Sequence, residues 1–269
     1  MNPCTPHPNP ASAPSDRQLG LRSKRVQLRS ALFTPLLVAL VHGTALADPG
    51  YYLVQPYDQA GSVTVETRYW EVAPNSAPAV AWPEFGMSLG VNSRWTTGLF
   101  WSWVGASAGP YTLSTFNWTN TLLLTQGNWP LDLAVHMQWI HDHADRGGGS
   151  LELGPLLQTD FGRTQINLNL LFERGLGNDV AHPTTLKLQW QLRHRWQPGL
   201  HLGVQGFSEL GEWDQWAAHS RQSHRAGPAL FNQTSLGNQG SLSLSAAWLQ
   251  GRTYGRSGRM LSLRAALTY

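Results

Sequence analysis

Leu261-Ser262-Leu263-Arg264-Ala265-Ala266-Leu267-Thr268-Tyr269, LSLRAALTY in one-letter code, closes the sequence. Leu261, Leu263, Ala265, Leu267 and Tyr269 take every second place, and Ser262, Arg264, Ala266 and Thr268 take the others. In a strand a period of two places these sets on opposite faces. An ordinary soluble domain tends to end in a frayed polar tail; here an alternating strand runs to a terminal aromatic ring.

The same alternation recurs upstream, and no long segment has helical periodicity. It predicts twelve strands at about residues 62–72, 84–92, 95–104, 112–125, 131–140, 150–160, 163–173, 184–195, 200–210, 224–233, 240–249 and 259–269. Their lengths suit tilted strands crossing a bilayer, which need about 9–11 residues. The connections alternate between long and short. The long ones are expected at residues 73–83, 105–111, 141–149, 174–183, 211–223 and 250–258. The short ones fall around Ser93 and at 126–130, 161–162, 196–199 and 234–239. Transmembrane barrels have short periplasmic turns and longer outer loops. An even number of strands puts both ends of residues 62–269 on the short-turn side.

Two hairpins test the register. A turn at Phe161-Gly162 sets Leu157 against Ile166, Pro155 against Leu168, Leu153 against Leu170 and Leu151 against Phe172. On the other face Gln158 meets Gln165 and Asp160 meets Arg163. A turn at Pro198 sets Lys187 against Glu209, Gln191 against Gln205 and Arg195 against His201, with Leu186, Leu188, Trp190 and Leu192 on the opposite face. One face is greasy and the other polar, as a single correct register requires. The long polar groups Gln165, Asn167, Asn169, Lys187, Gln189, Gln191, Arg193 and Arg195 suit a lumen, with the apolar face toward lipid. Trp95, Trp129, Phe161 and Trp196 near short turns, and Trp103, Trp139, Phe172 and Trp248 near long loops, form two groups like interfacial girdles.

The terminal stretch resembles the last strand of Gram-negative outer-membrane β-barrels, which commonly ends on an aromatic residue after alternating apolar ones. Ser223-His224-Arg225-Ala226-Gly227-Pro228 resembles segments of uncharacterised proteobacterial outer-membrane proteins. The resemblance implies an all-β fold, a transmembrane antiparallel up-and-down barrel of about 12 strands. It implies outer-membrane lipid as surroundings and the barrel-assembly machinery as a partner, with Leu263, Ala265, Leu267 and Tyr269 as the assembly signal. An open sheet edge is not viable in hydrocarbon, so the last strand is expected to pair with the first.

The N-terminal region fits that destination. Residues 31–41 are apolar but shorter than the roughly 20 residues of a spanning helix. They follow Arg17, Arg22, Lys24, Arg25 and Arg29 and precede Ala45-Leu46-Ala47, a small-residue cleavage site. Residues 1–47 therefore read as a secretory signal peptide for the general secretory pathway. Residues 48–61 are expected as an N-terminal periplasmic segment. Removing residues 1–47 takes five basic groups and Asp16 from the totals of 19 and 16, leaving 14 basic and 15 acidic residues. The basic pI is thus a property of the leader, and nucleic acid is not an expected partner. Cys4, the one cysteine, lies in the leader, so no disulfide framework is expected in the exported chain.

Three groups bear on chemistry. Lipid-modifying outer-membrane enzymes carry a His-x-Ser pair on one strand, and no His here has Ser two residues later. His141-Asp142-His143-Ala144-Asp145 carries metal-ligating types, with His141 and His143 the weak candidates, but a solvated loop tip accounts for it; no metal or cofactor is expected. Glu66, Arg68, Glu173, Lys187, Gln191, Arg193, Arg195, Gln205 and Glu209 are the expected lumen-lining residues. They suit a narrow aqueous pathway, hence a passive small-solute channel or transporter. The alternatives are a closed structural or adhesive barrel and, less favoured, an outer-membrane lipid-modifying enzyme. No feature identifies a solute.

Overall fold

The computed structural model describes residues 50–57, 59–127, 129–143, 148–177, 182–237, 240–253 and 255–269. The expected signal peptide lies outside the described residues. Twelve strands form: β1 Val63–Pro74, β2 Val80–Gly90, β3 Trp95–Ala106, β4 Tyr111–Leu123, β5 Asp132–Asp142, β6 Gly149–Phe161, β7 Thr164–Gly175, β8 Thr185–Gln197, β9 Leu200–Glu212, β10 Ser223–Ser235, β11 Ser241–Thr253 and β12 Arg256–Thr268. Each pairs antiparallel with its chain neighbours, and β12 pairs with β1, so the sheet closes into an up-and-down barrel.

The opening nonapeptide makes the closing seam. The pairing runs from Thr64 opposite Thr268 to Pro74 opposite Gly258. Tyr269 is tied in by its backbone: its N–H donates to Val63 O (2.9 Å), and the Val63 N–H donates to Tyr269 O (3.2 Å). Closure satisfies the backbone groups that an edge would leave bare. We call the end carrying Val63 and Thr268 the terminal end, and the opposite end the far end.

The two faces follow the alternation. Inward positions are buried and mostly polar, such as Asn167, Asn169, Gln189 and Gln191, while Leu192, Leu202, Val204, Leu244 and Leu263 are exposed outside. Leu168 and Leu188 take outward register positions beside inward Asn167 and Gln189. Two clusters of buried apolar residues also lie inside the barrel. One group joins Trp70, Phe207, Phe231, Leu249 and Met260, and a second joins Leu123, Ala134, Leu156 and Leu171.

Local boundaries differ from the sequence reading in four places. The hairpin after β6 turns at Gly162-Arg163, with Phe161 opposite Thr164 and Gln158 opposite Asn167. Gly162 takes the left-handed backbone (φ 60°) that the first turn position uses. The slip is two residues, so every face is kept; Asp160 now meets Gln165 instead of Arg163. The Pro198 hairpin has the expected pairs, Lys187 with Glu209, Gln191 with Gln205 and Arg195 with His201. The expected long connection at 250–258 is instead strand: Gly251 pairs with Gly258 and Thr253 with Arg256. Its Gly, Ser and Arg content resembles a loop, but only a tight turn at Gly255 (φ 82°) interrupts the ladder. Finally, β2 starts at Val80, which shortens the expected 73–83 loop, and residues 124–131 make a broad connection at the terminal end. The contrast between long and short connections is therefore weaker than the sequence suggested.

Candidate functional site

All nine expected lumen residues take inward register positions on β1, β7, β8 and β9. Glu66 meets Arg68 on β1, and Glu173 meets Lys187 across β7 and β8. Gln191 Nε2 donates to Gln205 Oε1 (3.1 Å). Arg195 stands at the terminal rim, where its NH2 group reaches Asp160 Oδ1 of β6 (2.9 Å). Arg193 and Glu209 find partners the sequence reading did not select.

Three ionic networks cross the inner wall. In the first, Arg68 donates through Nε to Glu66 and through NH1 to Glu84 Oε1 (2.7 Å). Glu84 Oε2 accepts from Ser102 Oγ (2.7 Å) and Asn117 Nδ2 (3.2 Å). Arg264 grips both oxygens of Glu66, at 2.8 and 2.7 Å. In the second, Lys187 Nζ lies between Glu173 and Glu152, 3.1 Å from the latter, and Ser150 Oγ donates to Glu173 (2.7 Å). In the third, Arg225 donates to Glu209 Oε1 (3.2 Å) and to the Tyr51 hydroxyl. Glu84, Glu152, Arg225 and Arg264 were not selected from sequence. Alternation alone places Glu152 inward between Leu151 and Leu153, but its partner Lys187 is two strands away. Charges so enclosed persist because each has opposite charges and hydrogen bonds around it.

The bore also contains the chain itself. Residues 48–61 are expected as a periplasmic segment; in their described part, from Gln59 at the terminal end, the chain runs back up inside the barrel. Tyr57 lies at the mouth, where burial and then the Asp132 carboxylate push its phenol up to about 12, so it stays protonated. Val54 packs on Leu123, Ala134, Leu156 and Leu171. Asn169, Gln189 and Ser262 donate to the carbonyls of Val54 (2.9 Å), Gly50 (3.2 Å) and Tyr51 (3.2 Å). The Tyr52 hydroxyl donates to Gln138 Oε1 (2.9 Å), and the Arg68 guanidinium lies 3.7 Å from its ring centroid. Tyr51 is 2% exposed; its hydroxyl donates to Glu209 (2.5 Å) under the Arg225 guanidinium. Residues from β1, β5, β7, β8, β9, β10 and β12 thus hold one short segment.

Toward the terminal end the inner wall and residues 51–55 and 57 line a vestibule of about 250 Å³. Its wall includes Arg193, Arg264, Gln191, Gln205, Gln233 and Ser245. Of the weak metal candidates, His141 stacks on Trp139 with ring centroids 5.8 Å apart. Ala144 and Asp145 of that group lie outside the described residues. Among the described residues no cluster of three His, Cys, Asp or Glu has metal-binding geometry.

No family model and no curated protein matches the chain. Among solved structures it is similar to an outer-membrane channel from Pseudomonas putida F1, with a TM-score of 0.55 and 13% identity over 83% of this chain and 100% of that one. It is also similar to the NanC porin, with a TM-score of 0.53 and 9% identity over 76% of this chain and 98% of that one. The likeness is one of fold: a closed antiparallel barrel of the kind seen in outer-membrane channels.

Proposed function

We propose that the chain is an outer-membrane channel for small hydrophilic solutes in a Gram-negative bacterium, and that its N-terminal segment occupies and closes the bore. One observation carries this reading: the barrel admits an extended peptide with two tyrosine side chains and holds it by side-chain hydrogen bonds. Once that segment leaves, the same space suits small solutes. The shared fold with a solved outer-membrane channel and a porin supports it, as does the contrast between a polar interior and an apolar exterior. Export by the general secretory pathway and cleavage after Ala47 complete the proposal. The outward set Leu263, Ala265, Leu267 and Tyr269 in the seam is consistent with recognition by the assembly machinery.

The ionic networks favour a second reading, a closed structural barrel whose lumen is cross-braced. Planar-bilayer recording of the refolded chain and of a Tyr51→Ala/Tyr52→Ala variant separates the two. A channel shows brief or small openings in the parent and longer, larger ones in the variant. A structural barrel is silent in both.

A further inference from the structure

We infer that the vestibule is a binding site for small anions of the carboxylate or phosphate class, centred on Arg193 and Arg264. The inference rests on the channel reading for its physiological purpose and on geometry for its existence. Arg193 projects into the lumen from β8 and lines the cavity with Arg264 of β12. Its Nε donates to His201 Nδ1 (2.6 Å), and its guanidinium lies 5.3 Å from the Phe231 ring centroid. His201 accepts here, so it presents a neutral ring and offers no compensating charge. Among the described residues no carboxylate lies within ion-pair distance of Arg193.

The surrounding charges leave that imbalance in place. Arg264 is paired with Glu66, in a network that Arg68 and Glu84 complete with two arginines against two carboxylates. Arg195 at the rim has Asp160, and that pair is about half exposed (46% and 45%), so water screens it. Across the mouth Asp132 is engaged with Tyr57. The β8, β9 and β12 side of the vestibule therefore carries Arg193 without a direct ion pair among the described residues; Arg195 and Arg264 add to the positive field around it, and Asp160 offsets part of that field from a distance. A guanidinium offers a planar fork of N–H donors that fits a carboxylate or phosphate edge. Within the same wall Gln191 is only 3% exposed, and its Oε1 atom lacks a partner among the described residues. A turn of its side-chain amide toward the cavity brings that acceptor to a proton carried by the ligand, as in hydrogen phosphate. A cavity of about 250 Å³ suits a solute of a few heavy atoms.

The test is equilibrium titration of inorganic phosphate, and separately of succinate, into the refolded full-length protein in uncharged detergent at low ionic strength. Saturable binding of at least one anion is expected, and the two arms tell which class is preferred. Arg193→Gln should weaken it about tenfold, a typical effect of removing one charge-assisted pair. Arg193→Lys should keep more of the binding, and Arg163→Gln, outside the vestibule, should leave it unchanged. Bilayer recording in a potassium chloride gradient adds a second readout: the reversal potential should show chloride preference that falls in Arg193→Glu. Absence of saturable binding for both anions overturns the inference, as does binding that Arg193→Gln and Arg193→Glu leave untouched in folded protein. Arg193-dependent binding without conductance supports the site and removes the channel reading. Conductance without Arg193-dependent binding removes the site alone.

Discussion

The two halves of the bore are built on opposite principles. In the far half the described inward charges are enclosed: Lys187 between Glu152 and Glu173, Arg225 against Glu209, with Tyr51, Phe207, Leu249 and Met260 filling the space around them. In the terminal half Glu66 is held between Arg68 and Arg264, but Arg193 lines water-accessible volume without an ion pair among the described residues, and Arg195 and Asp160 are half exposed. The same alternating strands run through both. The difference arises at the residues facing inward and at the segment that enters from the terminal end and packs against the inner wall. A barrel of this strand number can be filled or open; here both conditions occur in one lumen, separated by Tyr51 and Tyr52.

That contrast predicts a gradient of mutational cost. The largest effect belongs to the far half. Lys187→Met leaves two enclosed carboxylates without their cation and should cost about 3–5 kcal/mol in denaturant unfolding of the lipid-embedded protein; a loss below 1 kcal/mol would mean the network is hydrated. Next comes the outer wall, on which the inside–outside assignment depends. Leu188→Arg should cost about 2–4 kcal/mol near the bilayer midplane, measured in the same unfolding experiment. Equal costs for Leu188→Arg and Asn167→Arg would overturn the assignment of faces. Tyr51→Phe removes the hydroxyl between Glu209 and Arg225 and should cost about 1–3 kcal/mol while raising open probability in bilayers. The smallest effect is in the terminal half: Arg193→Gln should change stability by less than about 1 kcal/mol, as for water-screened charges. A cost matching that of Lys187→Met would erase the distinction between the halves.

The strands and their faces were legible in the sequence because a period of two survives errors of even length. The Gly162-Arg163 turn shows this: the pairing moved by two residues and no side chain changed face. Connections were less legible. Residues 250–258 are rich in Gly, Ser and Arg, yet most of them pair across the sheet, because composition does not register the ladder they share. The charged lumen was half legible. Alternation places Glu152 and Arg264 inward, but the pairings depend on which strands become neighbours and how far side chains reach across them. The N-terminal segment was not legible at all. Tyr52 finds Gln138 86 residues away, and Ser262 finds the Tyr51 carbonyl across 211 residues. No local pattern specifies contacts gathered from so many strands.

The central claim, that the chain closes its own bore, is tested most directly by tethering the segment where the structure places it. Val54 packs on the inner-wall cluster that includes Leu171, and its carbonyl accepts from neighbouring Asn169. Val54→Cys combined with Leu171→Cys, in a chain with Cys4→Ser, should form a disulfide in high yield after refolding. The oxidised protein should be silent in planar bilayers, and reduction should restore openings at the parent level. Failure of the two cysteines to join, or an oxidised barrel that conducts as well as the reduced one, would contradict the account.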